Sequence, residues 1–267
     1  RFNKKNYLKI IDKINSSYNE TLLNTWANFN TKTKILNSPV FLFGFPRSGT
    51  TLLHVILSSH PRIEVIEEKP VVAKLILKFN EKIGSYPDCL KKINNDKLDF
   101  LKTTYLNELK KFKDISETNI TIDKLPLNLL HVGLLYKIFP EAKFIFAVRH
   151  PCDVILSCFM QNFVPNEAMV NLYSLRDAAN LYNKTMLLWK NCSTLFPFQV
   201  HYVRYENVIS NLRDESQKLA SFLNLSWNKS MVKYQRTVKN YKGKIRTPSY
   251  NQVSEKLYSQ SVYRWKK

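Results

Sequence analysis

Apolar positions along the chain fall into two kinds of run. Val40–Phe45 and Phe144-Ile-Phe-Ala-Val148 are short, continuously apolar and rich in β-formers, the pattern of strands buried on both faces. Ile120–Asp123 and Val200–Val203 are shorter runs of the same kind. Between them the period lengthens, and helices are predicted over about 48–59, 70–83, 97–113, 127–139, from Pro151, and over 172–195, 211–223 and 228–240. Residues 5–36 read as a polar amphipathic helix with Tyr7, Ile10, Ile11 and Ile14 on one face, and Asn37-Ser-Pro39 ends it. Strands alternating with helices predict an α/β fold, a P-loop-type parallel sheet flanked by helices. The expected division is a helical extension over 1–37 and one domain over 38–267. From Tyr241 onward the chain is polar and turn-rich.

At 267 residues the chain supports one α/β domain with a substantial core. No apolar run approaches the roughly 20 residues of a membrane span. The start, Arg-Phe-Asn-Lys-Lys, has neither an initiator Met nor the apolar core of a signal peptide. The cytoplasm of a bacterium is the expected compartment, with a secretory lumen the alternative for a chain whose signal was removed. The net charge of +20 points to acidic partners. An AT-rich coding bias toward Lys, Asn and Ile accounts for it equally well, since only 10 of the 41 basic residues are Arg. No stretch is dense enough to be a nucleic-acid arm, so no nucleic acid is expected. Cys89, Cys152, Cys158 and Cys192 have no metal-ligand spacing and are expected as buried free thiols.

The chemistry concentrates in Gly44-Phe-Pro-Arg-Ser-Gly-Thr-Thr51. A strand runs into a small-residue turn that opens a helix, and unpaired amides with the helix dipole make such a turn a phosphate cradle. The spacing is nearly that of a GxxxxGK[ST] loop, but Thr50 stands where the nucleotide-triphosphate lysine would be, and Arg47 precedes it. The second anion site is Val148-Arg-His-Pro-Cys-Asp-Val-Ile-Leu-Ser157. Its strand delivers Arg149, and two helical turns bring the Ser157 hydroxyl back over the guanidinium, a pair suited to a second phosphate. An ATPase or kinase would place Asp there to hold magnesium. No metal is expected.

These two segments together resemble the PAPS-dependent sulfotransferases, where PAPS is 3′-phosphoadenosine 5′-phosphosulfate. Pro46-Arg-Ser-Gly-Thr-Thr-Leu52 looks most like the protein-tyrosine sulfotransferases and related bacterial enzymes. Thr121-Ile-Asp-Lys-Leu-Pro-Leu-Asn128, Arg149-His-Pro-Cys-Asp-Val154 and Thr247-Pro-Ser-Tyr-Asn-Gln-Val253 look like the domain of bacterial tetratricopeptide-repeat sulfotransferases. The resemblance spans roughly residues 38–265. It implies PAPS as co-substrate, with the bisphosphate PAP as product. Arg47, Ser48, Gly49, Thr50 and Thr51 would hold the 5′-phosphate, and Arg149 and Ser157 the 3′-phosphate. Tyr205 would lie beside the nucleotide, with Ser249 and Lys256 from the tail. Glu68 would be the catalytic base, with Lys124, Arg47 and Ser249 around the sulfuryl group. Lys69 and Pro70 depart from the Glu-Glu-Thr of the tyrosine enzymes, and a family arginine falls on Gln161. His54, His60 and His131 lack the Lys-x-His arrangement of the cytosolic small-molecule enzymes and read as structural.

The expected activity is sulfuryl transfer from PAPS to an acceptor hydroxyl, with peptidyl tyrosine the first expectation and a glycan or small molecule the alternative. Two rivals are an ATP- and magnesium-dependent P-loop kinase, opposed by Thr50 and Arg149, and a basic adaptor, which leaves both phosphate motifs unexplained. A homodimer is also open.

Overall fold

Alternation along the two most apolar strands sets up the architecture. In a computed structural model that describes residues 2–33, 38–113, 118–236 and 261–266, five strands form one parallel sheet in the order β2-β3-β1-β4-β5. They are β1 (Val40–Gly44), β2 (Ile63–Glu67), β3 (Ile120–Lys124), β4 (Lys143–Val148) and β5 (Gln199–Arg204). Phe41, Phe43, Phe144 and Phe146 turn to one face and join one buried cluster. Val40, Leu42, Ile145 and Ala147 turn to the other face and join a second. A sheet buried on both sides needs helices on both.

The first face is covered by α1 (Lys4–Ser17), α2 (Glu20–Ala27), α4 (Val71–Lys82), α5 (Asn95–Lys110), α6 (Val132–Ile138), α7 (Pro151–Phe159) and α8 (Leu175–Leu195). The second carries α3 (Thr50–Ser58), α9 (Tyr205–Ser210) and α10 (Leu212–Phe222). The helix expected over 5–36 is two helices. Asn19 starts the second, its side chain accepting from Leu22 N at 3.0 Å as an N-cap does. Ile11, Ile14, Tyr18, Leu22 and Trp26 enter the shared core, whereas Ile10, expected on the buried face, is 42% exposed.

Other local readings differ from the sequence expectation as well. Ile63–Glu67 is an edge strand that the apolar pattern did not show. The helix expected from Leu127 opens as a 3₁₀ turn over Pro126–His131 before α6. Over 228–240 the described residues begin with a 3₁₀ turn, Lys229–Lys233. Of the thiols, Cys158 and Cys192 are buried, but Cys89 is half-buried and Cys152 exposed, which corrects the expectation for those two.

The strand order fixes where a ligand can sit. From β1 the chain passes through α3 toward β2 at one edge, and from β4 through α7 and α8 toward β5 at the other. Between β1 and β4 the connections therefore diverge, and a crevice opens beyond their carboxyl ends.

Candidate active site

The loop after β1 is shaped by close approach. A Cβ on Gly44 would come within 2.6 Å of the Ala147 carbonyl oxygen and 2.7 Å of Ser48 Oγ. Gly49, the N-cap of α3, has φ +103°, and a Cβ there would meet the Tyr205 ring at 2.8 Å. Only glycine suits both the left-handed backbone and the contact. The loop thus turns tightly and presents the first amides of α3 toward the crevice, with Ser48, Thr50 and Thr51 buried beside them.

Two guanidinium groups converge there. Arg149, at the end of β4, is 9% exposed and donates to the Arg47 carbonyl oxygen at 3.2 Å and the Ser261 carbonyl oxygen at 2.6 Å. Its guanidinium lies 4.6 Å from the Tyr205 ring centroid, in cation–π range. Arg47 Nε donates to Ser157 Oγ at 3.0 Å, so Ser157 contacts Arg47 rather than Arg149. Burial lowers the Arg47 pKa, with the Cys158 thiol opposing and the nearby Arg149 charge assisting. Among the described residues, Ser48 Oγ and Arg149 Nε are buried without a hydrogen-bond partner. Buried donors left unsatisfied beside two like charges call for an anion.

The other half of the site grows from the β2 and β3 ends. Registry sets Lys124 beside Leu42 of β1 and Glu67 of β2. Its ammonium, fully buried, donates to Glu68 Oε1 at 2.7 Å and Glu67 Oε1 at 3.3 Å. His54 Nδ1, from α3, is 3.3 Å from the same Glu67 oxygen. Burial opposes Glu67 ionisation, but the His54 hydrogen bond and the Lys124 charge outweigh it and hold the carboxyl below its ordinary pKa. Glu68 has φ +47° and Arg47 φ +69°, left-handed backbones that a non-glycine residue holds only under constraint.

Arg47, Gly49, Thr50, Thr51, Glu68, Arg149, Ser157 and Tyr205 all line one cleft of about 710 Å³, and Lys124 sits at its base against Glu68. Ser249 and Lys256 lie outside the described residues. The sequence reading missed three contributors. The sequence assigns Glu67 no role and reads His54 as structural. Ser261 was not singled out, yet its hydroxyl is 2.7 Å from Tyr205 Oη and its carbonyl receives Arg149. The only sequence signal for the first two was the adjacent Glu67-Glu68. Among the described residues no cluster is arranged to hold a metal ion, and no helix is long and apolar enough to cross a membrane.

Comparison with known proteins gives this geometry a context. The model of the sulfotransferase family matches residues 39–229. The chain is 30% identical over 237 residues to an uncharacterized protein of Aquifex aeolicus (strain VF5), covering 86% of this chain and 30% of that one. It is 26% identical over 204 residues to protein-tyrosine sulfotransferase 1 of Danio rerio, covering 74% of this chain and 56% of that one. The chain therefore spans about a third to about half of these relatives' lengths. It shares its fold with the sulfotransferase domain from the Synechococcus PCC 7002 olefin synthase, at 19% identity and TM-score 0.61 over 88% of this chain and 89% of that one.

Proposed function

Because the chain belongs to the sulfotransferase family, we propose that it transfers a sulfuryl group from PAPS to an acceptor hydroxyl. The observation that carries this reading is the pair of unsatisfied buried donors, Ser48 Oγ and Arg149 Nε, beside two converging guanidiniums. Their placement, on the glycine-shaped loop and at the end of the next strand, fits a nucleotide with two separate phosphates. The loop amides with Ser48, Thr50 and Thr51 would receive the 5′-phosphate. Arg149 would exchange its two neutral carbonyl partners for the 3′-phosphate, a stronger charge-assisted contact. Tyr205, already under the Arg149 guanidinium, would form one wall beside the base.

PAPS supplies an activated sulfuryl group; positioning and proton transfer fall to the protein. Glu68 would accept the proton from the acceptor hydroxyl as that oxygen bonds to sulfur. Lys124 and Arg47 would offset the charge that develops on the phosphate left behind. The Lys124 contact with both carboxylates keeps its ammonium fixed at the junction of donor and acceptor, and orientation of this kind is a large part of a transfer enzyme's rate. Ser249 and Lys256 would add tail contacts to the donor. The role assigned to Glu68 rests on its position between Lys124 and the open cleft.

The test is a thermal-shift comparison of 3′,5′-adenosine bisphosphate with ATP and magnesium. Ligand at about 100 times its Kd stabilises by about 2.7 kcal/mol, a readily visible shift. Stabilisation by the bisphosphate and little by ATP is expected. Stronger stabilisation by ATP with magnesium would overturn the reading in favour of a kinase.

A further inference from the structure

Residues 261–266 lie against the donor half of the cleft, and little apolar burial holds them there. Tyr263 and Trp265 are each 42% exposed, so the hydrophobic effect fixes the segment weakly. Polar anchors do the rest. Asp153, in the first turn of α7 and 2% exposed, spends both carboxylate oxygens on this one segment. Its Oδ2 accepts from Tyr263 N at 2.7 Å and its Oδ1 from Trp265 N at 3.0 Å, bonds that the carboxylate makes stronger than neutral ones. The His150 ring stacks on the Trp265 ring, centroids 5.0 Å and planes 12° apart, and meets Tyr263 edge-on at 5.7 Å. His150 N in turn donates to Glu206 Oε1 of α9 at 2.9 Å.

What the anchors hold is part of the donor site. Ser261 meets Arg149 through its carbonyl oxygen and Tyr205 through its hydroxyl. Arg264 lines the cleft with Arg47 and Arg149, so the segment brings a third guanidinium to it. Between them Tyr263 has φ +53°, a left-handed backbone that a tyrosine keeps only under constraint. The bonds to Asp153, from Tyr263 itself and from the residue two further on, are that constraint. Asp153 also lines the cleft, yet a carboxylate repels the phosphates this half is built to receive. Its place there needs another task, and the two N–H groups it holds supply one.

We propose that Asp153 is a positioning residue for the donor, acting through residues 261–266, which it straps across the 3′-phosphate end of the cleft. The proposal rests on the sulfuryl-transfer reading above and adds to it the part that retains the nucleotide. When the 3′-phosphate takes Arg149 from the Ser261 carbonyl, the Ser261 end is released, but Tyr263 and Trp265 stay on Asp153. The strap keeps its place as a wall and keeps Arg264 at the cleft. With few apolar contacts to break, it swings aside for the nucleotide to enter and leave.

The experiment needs no acceptor. Calorimetry gives the affinity of 3′,5′-adenosine bisphosphate and surface plasmon resonance its dissociation rate, for wild type and Asp153→Asn. The amide keeps the size and one acceptor oxygen but turns its NH₂ toward an N–H, so one anchor is lost. The sign of the effect discriminates. Removing a negative charge beside phosphates by itself tightens anion binding, whereas loosening the strap weakens it. Affinity is expected to fall at least about tenfold, mostly through faster dissociation. Trp265→Ala, at an exposed position, removes the stack on His150 and should weaken binding about threefold or more. Trp265→Phe keeps a ring there and should bind within about twofold of wild type. A general loss of fold would not separate alanine from phenylalanine, and if Asp153→Asn fails to fold, this pair decides alone. Unchanged or tighter binding by Asp153→Asn, or equal losses for the two Trp265 variants, overturns the proposal while sulfuryl transfer stands. Failure of the wild-type chain to bind bisphosphate overturns both.

Discussion

Glu68 and Arg47 hold left-handed backbones at the ends of neighbouring structural elements, φ +47° and +69°. Each conformation costs of order 1–3 kcal/mol and survives only where its surroundings fix it. For Glu68 the surroundings are visible: its N–H donates to the Lys124 carbonyl oxygen at 2.8 Å and its carboxylate receives the Lys124 ammonium at 2.7 Å. Both ends of one residue are tied to one neighbour, which aims the carboxylate into the cleft. Glu68→Gln keeps the volume and removes the basic oxygen. On a confirmed acceptor, kcat is expected to fall about 10²–10⁴-fold, while bisphosphate affinity measured by calorimetry changes little. Near-normal turnover would remove Glu68 from the mechanism. Arg47, Gly49 and Arg149 were legible in the sequence because a loop and a strand end impose fixed spacing. The His54–Glu67–Lys124 contacts were not, because α3, β2 and β3 contribute one residue each and no spacing connects them.

At the scale of elements, what the sequence concealed follows from where each piece sits. β1 and β4 are inner strands, and their uninterrupted apolar runs announced them. β2 is an edge strand, and in Ile63-Glu-Val-Ile-Glu67 only Ile63 and Ile66 are buried while Glu64, Val65 and Glu67 are half-buried, so its glutamates break the apolar run that would mark a strand. That omission left Glu67 and Glu68 without a strand to position them. α9 was missed because its six residues follow β5 with no intervening turn signal. The start of α3 is the element most constrained by a single residue. Gly49→Ala would place a Cβ 2.8 Å from the Tyr205 ring on a backbone of φ +103°. A loss of about 1–3 kcal/mol in stability is expected, read by denaturant unfolding. Bisphosphate affinity should fall at least tenfold, because relief of the clash moves Tyr205 or opens the phosphate loop. Unchanged binding would show that the loop tolerates the change and that Tyr205 is not part of the donor site.

For the whole molecule, two buried titrating groups, Asp123 and His131, act against each other. Asp123, 1% exposed on β3, accepts from Tyr105 Oη at 2.8 Å, and burial pushes its pKa up from 3.8 to about 7. His131 moves the opposite way under burial, from 6.5 to about 4. A carboxyl whose pKa rises on folding holds a proton that the unfolded chain releases, so its contribution is full below 3.8 and lost as pH rises through 7. A histidine whose pKa falls on folding contributes fully above 6.5 and loses that contribution as pH falls through 4. Between about pH 4 and 6.5 the two slopes, each about 1.4 kcal/mol per pH unit at most, oppose one another. The wild-type protein is therefore expected to show a shallow stability profile across that window from this pair. Asp123→Asn keeps the Tyr105 hydrogen bond, removes the titration and leaves His131 uncompensated. The variant should be more stable than wild type at pH 7.5, where the buried carboxylate is charged, and should lose stability steeply on acidification from pH 6.5 toward 4. Urea unfolding at pH 7.5, 6 and 5 measures both effects. Parallel curves for the two proteins would show that Asp123 titrates in its ordinary range, and that water or movement of the β3 end relieves its burial.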